Sequence, residues 1–223
     1  MAVLPSTPSG PGATVTLNPD GILPPINGSL LTALGRETEF FRHTSGAGGI
    51  SRLYSGTVAG TAPATSAHTA NVLRAIPFTS PRGGTIATIN AAVTTGVAGN
   101  LRLGIYTNTS TTDLRPGTLL AGSASISTAA AGLKTFTFGT PIVLDRDALY
   151  WLAIVNDVSV TCRVQSLAAA WPILGYAATL GTTLGYGWSV AFAYAALPAS
   201  FPVAGIAVIT ALPLPLIAPT FSA

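Results

Sequence analysis

Two histidines, one cysteine and seven carboxylates are the side chains of this 223-residue chain equipped for acid–base, nucleophilic or metal-binding work. His43 and His68 lie in no spacing used for zinc, such as His-x-x-x-His or Cys-x-x-Cys, and each reads as a solvated or capping histidine. Cys162 sits in the alternating run Val160 to Val164, which points it inward as a small apolar residue. No base beside it can be named to activate it as a nucleophile, and a lone cysteine forms no internal disulfide. The carboxylates are Asp20, Glu37, Glu39, Asp113, Asp145, Asp147 and Asp157. A glycosidase needs two of them facing one another across a bond, but Glu37 and Glu39 are two apart on a stretch of helical look, which points them apart. Asp145, Asp147 and Asp157 could offer hard oxygen ligands to calcium at one end of a β-fold, although they follow no EF-hand pattern. No phosphate-cradling or dinucleotide glycine motif stands between a strand and a helix. Neither a cofactor nor a metal is expected, and no catalytic residue can be assigned.

Aromatic side chains remain. Sugar rings stack on exposed tryptophan and tyrosine faces, and the same residues anchor protein interfaces. Tyr106, Arg115, Trp171, Tyr186 and Trp188 are therefore the candidates for ligand or interface contact. In the Tyr186-Gly187-Trp188 cluster the glycine leaves both rings open, while the loop Thr107 to Arg115 is the polar segment best suited to meet a ligand. The plainer reading, that aromatic residues in strands are core, stands beside this one.

These residues must be positioned by strands. Short β-prone runs alternate with turn clusters from about residue 70, at the spacing expected of a sandwich or barrel. Asn71 to Phe78 is followed by a turn at 81–84 and by Thr85 to Thr94, where a slip of phase between Ile86 and Ile89 marks a bulge. Leu101, Leu103 and Ile105 alternate with Arg102, Gly104 and Tyr106, the pattern of a strand with one face inward. Ser123, Ser125 and Ser127 read as an outward row, and Lys134 to Phe138 and Pro141 to Leu144 as further strands. Leu149 to Val155 is apolar on both faces, hence central and covered on each side, and Val160 to Val164 is expected to pair with it through an Asn156-Asp157 turn. The sandwich is thus placed at 70–166.

The flanks differ in composition. Residues 1–69 begin with Pro5, Pro8, Pro11, Pro19, Pro24 and Pro25 among small polar residues, which favours an extended arm. A short helix is expected near 34–43 and an irregular linker after it. No charged residue follows Arg163, so 167–223 is an uncharged C-terminal extension. It is expected to pack on the sandwich or on neighbouring subunits, with Ile206 to Leu212 supplying a strand to such a contact. The apolar run Val203 to Ala218 contains Pro213 and Pro215 and is not expected to insert in a membrane as a helix. Met1 to Gly12 has neither a basic nor an apolar region of the kind that marks a signal peptide.

Charged residues make up only 8% of the chain, against roughly 25% in soluble domains. A surface so poor in charge suits burial against partner subunits. The net charge of +3 is scattered over arginines and one lysine, Lys134, with no basic stripe, so nucleic-acid binding is not expected.

The run LRLGIYTN, a polar loop, RPGTLLAGSASIS, GLKTFTF, PIVLD and LYWLAIV, from Leu101 to Val155, resembles a jelly-roll-like domain of tailed-bacteriophage virion proteins and bacterial surface proteins. That resemblance implies an all-β, antiparallel jelly-roll-like β-sandwich without catalytic residues. It implies a structural protein of the virion, a tail-tip, fibre or capsid-decorating subunit, made in the host cytoplasm and partnered by other virion proteins. It favours a homo-oligomer, a trimer in particular. A module that binds a host surface glycan is the alternative, and an enzyme that degrades cell-wall polysaccharide a weaker one.

Overall fold

A computed structural model describes residues 42–45, 50–53, 63–80, 83–110, 113–165, 174, 185–211 and 213–221, with 42–45 and 50–53 as backbone only. Contacts divide the chain into Met1–Thr38, which lies outside the described residues, and Glu39–Ala223, which holds the fold. The fold is an all-β sandwich of two antiparallel sheets, and no helix occurs among the described residues. None is therefore long and apolar enough to cross a membrane.

Among the described residues there are fifteen strands: β1 (Arg42–Ser45), β2 (Ile50–Leu53), β3 (Ala64–His68), β4 (Val72–Thr79), β5 (Gly84–Thr95), β6 (Asn100–Asn108), β7 (Pro116–Gly122), β8 (Ile126–Ser127), β9 (Gly132–Leu144), β10 (Leu149–Asn156), β11 (Val160–Gln165), β12 (Gly187–Ala191), β13 (Ala207–Ile209), β14 (Leu214–Pro215) and β15 (Ile217–Phe221). The first sheet runs β1-β2-β15-β5-β11-β14, with β9 beside β5 and β3 beside β11. The second runs β13-β12-β4-β10-β6-β7, with β8 beside β6.

Period-two alternation sends one face of each sheet into a shared core. Ile76, Phe78, Leu101, Leu103, Ile105, Leu152 and Ile154 of the second sheet meet Ile86, Ile89, Val93, Val160, Cys162 and Ile217 of the first. In β5 the register slips between Ile86 and Thr88 against β9. The opposite neighbour, β15, slips at the same place, between Thr220 and Phe221. This bulge resets the phase so that Ile86 and Ile89, three residues apart, both point inward.

β10 is central. It pairs with β4 on one side and β6 on the other, and its two faces belong to different cores. Tyr150, Leu152 and Ile154 enter the core between the sheets, whereas Trp151, Ala153 and Val155 enter a second core on the outer face. The lid of that second core is Val190, Leu197 and Phe201 with Phe192 and Tyr194 beside them.

The tail therefore completes the sandwich, which does not end near residue 166. β12 and β13 extend the second sheet, while β14 and β15 enter the first. Ala207–Ile209 pairs within the chain, with β12, and forms the edge of the second sheet. Three further expectations are corrected. β11 does not pair with β10, because both edges of β10 are already taken; Asn156 and Asp157 instead carry the chain across to the other sheet. The outer face of β6 is not exposed, since the lid covers Tyr106. Ser123 does not face outward: it is buried and its Oγ accepts the Leu103 N–H at 2.8 Å. The supposed linker contributes β2 and β3. The helix expected at 34–43 falls outside the described residues except for Arg42 and His43, which belong to β1.

Candidate functional site

The hairpin of β6 and β7 carries the loop from Asn108 to Arg115, and two tryptophans fix it to the sandwich. Trp151 Nε1 donates to Asn108 Oδ1 at 2.9 Å. Trp188 Nε1, from β12, donates to the Leu114 carbonyl at 2.7 Å. The Arg115 guanidinium lies 6.0 Å from the centroid of the Trp188 ring and is turned by Asp113, whose carboxylate accepts from Nε at 2.7 Å. Thr109 closes the loop through its N–H and Oγ1, both donating to the Arg115 carbonyl at 2.9 Å. Arg115 and Trp188, distant in sequence, are thus brought together. Trp188 Nε1 and Arg115 Nε are engaged in holding the loop, and the guanidinium lies over the indole.

Beside this loop lies a cleft of about 560 Å³ lined by Thr107, Asn108, Ser110, Leu114, Asp147, Ala148, Leu149 and Tyr150. Its polar groups come from the loop and from the corner after β9. There Asp147 adopts φ of 59° and the Asp145 N–H donates to Tyr150 Oη at 2.9 Å. A cleft edged by amide, hydroxyl and one exposed carboxylate suits an uncharged polar ligand better than an anion.

The other candidates are placed differently. Tyr106 is fully buried, packed edge-on against Phe201 with centroids 5.4 Å apart, and donates to the Pro198 carbonyl at 3.0 Å. Burial pushes its phenol pKa up. Tyr186 is buried with Ile209 and Leu214, so the open ring pair expected around Gly187 does not exist. Both tyrosines are core because the tail folds back over them. Trp171 lies outside the described residues.

Asp157 does not join Asp145 and Asp147. It sits at the opposite end of the β6–β10 pair, where its carboxylate accepts the Asn100 N–H at 2.6 Å and the Asn100 side-chain amide at 2.9 Å. With about 3.3 Å of rise per residue, β10 alone separates the two ends by more than about 20 Å. Among the described residues no three His, Cys, Asp or Glu side chains come together as a metal would require. Cys162 is buried, and burial pushes its thiol up to about 11.

One cluster escaped the sequence reading. His68 is neither solvated nor capping: it is wholly buried, and neither ring nitrogen has a hydrogen-bond partner among the described residues. Close by, Nη1 of buried Arg74 and Oδ1 of buried Asn156 are also unpartnered. Burial first, and the Arg74 charge second, lower the His68 pKa to about 3. No periodicity flags a histidine in the small-residue run ATSAH, so only tertiary packing reveals it.

The chain matches no protein-family model and no curated protein. Architecture and site geometry therefore bear the functional reading.

Proposed function

We propose that this chain is a structural subunit of a tailed-bacteriophage virion, a tail-tip, fibre or capsid-decorating component. In this reading it is not an enzyme, and it is held in place by other virion proteins and further copies of itself. The observation that carries the reading is the surface. With 8% charged residues overall, the sandwich still leaves Val143 73%, Val203 64% and Leu133 49% exposed. Apolar side chains on a surface with so little charge favour contact with other subunits over free diffusion. The jelly-roll resemblance of residues 101–155 supplies the virion context and favours a trimer. Mass spectrometry and cryo-EM of purified particles test it. The protein is expected in the particle as a symmetric oligomer; its absence from particles, or a stable monomer by native mass, overturns the proposal.

Binding of a host surface glycan is the second reading, favoured by the polar-edged cleft beside the Asn108–Arg115 loop. A glycan array should then show binding that Asn108→Ala or Tyr150→Phe weakens. No binding to any glycan disposes of it.

A further inference from the structure

We propose that His68 is the pin of an acid-operated latch, whose protonation releases strand β3 from the edge of the first sheet while the rest of the sandwich stays folded. β3 is weakly held. Among the described residues its sole pairing is with β11, from His68 opposite Val160 to Ala64 opposite Val164. Of its five side chains Ala64 and Ser66 are half-buried and Thr65 and Ala67 exposed, so His68 is the only one fully buried. The register sets His68 on the same face as Val160, which belongs to the core between the sheets. The strand's apolar docking thus depends on one titratable ring, helped by Asn156 Nδ2, which donates to the His68 carbonyl at 3.0 Å.

The surroundings admit the neutral ring alone. Facing it from β4 is Arg74, a second buried cation carrier with an unpartnered nitrogen. From the end of β10 comes uncharged Asn156, and from β11 the un-ionised Cys162, while Arg163 is exposed on the opposite face. Asp157, next to Asn156 in the chain, is occupied by Asn100. A proton placed on His68 in the closed state would therefore meet a like charge and no compensating carboxylate among the described residues, which is costly in a low-dielectric interior.

Opening β3 returns the ring to water, where its pKa is near 6.5, against about 3 when closed. The open state binds more protons throughout that interval. The closed state is thus fully favoured above pH 6.5 and loses ground as pH falls towards 3, by about tenfold in the opening equilibrium per pH unit.

Hydrogen exchange followed by mass spectrometry, corrected for the intrinsic pH dependence, tests this on the full chain. Between pH 6.5 and 4.5 a peptide spanning Ala64–His68 should lose protection by up to about 50-fold, since the interval begins at the open-state pKa, where only half a proton is taken up per unit, while peptides from β6 and β10 stay protected. His68→Leu should abolish the pH dependence. Should that variant fail to fold, Arg74→Met serves, since removing the repelling charge, the lesser cause after burial, should shrink the dependence in part without touching β3. The latch is overturned if β3 stays protected at pH 4.5, if it opens only together with β6 and β10, or if both variants keep the wild-type dependence.

Discussion

Burial determines what the individual reactive groups can do. Cys162 lies inside the core with its thiol pKa raised to about 11, so the thiolate needed for reaction is scarce at neutral pH and shielded from reagents. A water-soluble disulfide reagent should leave it unmodified in the native protein and modify it fully in guanidinium. Labelling of the folded protein within minutes would show that the strand is not closed over it. Tyr106 illustrates the same control of a polar group by packing. Its hydroxyl reaches the Pro198 carbonyl through the lid over the second core. Tyr106→Phe keeps the ring contact with Phe201 and removes one neutral hydrogen bond, leaving the carbonyl unpaired, and should cost about 1 kcal/mol in urea denaturation. Tyr106 was legible as an aromatic in a strand. What covers it was not, because the covering residues stand some ninety positions away in sequence.

Among the elements, β12 and the crossing between sheets show how tightly the strands are fixed. A Cβ added at Gly187 would lie 2.4 Å from the Ala75 carbonyl oxygen, at the point where Trp188 and Ala75 are opposite one another in the β12–β4 ladder. Backbone cannot yield as a side chain tip can. Gly187→Ala should destabilise by about 2 kcal/mol, within the range for overpacking, and loosen the indole that holds Leu114; lower protection of the Asn108–Arg115 loop in hydrogen exchange would report the second effect. At the crossing, burial works against ionisation of Asp157, but hydrogen bonds from the Asn100 N–H and side-chain amide outweigh it and hold the carboxyl below the usual range. A carboxyl whose folded pKa is depressed gives stability that is present above its unfolded pKa and lost as pH falls through the folded one. Asp157→Ala should therefore lower the melting temperature at pH 7 and have little effect at pH 2, with scanning calorimetry at the two pH values as the check. The bulge in β5 was readable in the sequence, since Ile86 and Ile89 cannot share a face of a regular strand. The partner of β11 was not, because a turn-like pair such as Asn156-Asp157 is the same in a hairpin and in a sheet-to-sheet crossing.

For the whole molecule, the uncharged tail supplies strands to both sheets and a roof to the second core. β15 lies beside β5 in the middle of the first sheet, and β12 extends the second while residues 190–201 roof its outer face. A chain ending at Gln165 would expose Trp151, Ala153, Val155 and Tyr106 together and leave one side of β5 partly unpaired. It should show no cooperative thermal transition and no dispersed NMR spectrum. A truncated chain that melts sharply would mean that the tail merely decorates a self-sufficient core.

Taken alone, the sequence determined the all-β class, the double-sided burial of Leu149 to Val155, the inward phase of Leu101, Leu103 and Ile105, and the bulge at Ile86, because each rests on local period-two patterning between neighbours in the chain. Tertiary structure decided which strands are adjacent, that Tyr106 and Tyr186 are core, that Arg115 meets Trp188, and that His68 is sealed beside Arg74. Those facts depend on segments far apart in sequence converging on one place. No local pattern encodes which distant surface will cover a given side chain, and that covering fixes its charge, its partners and its use.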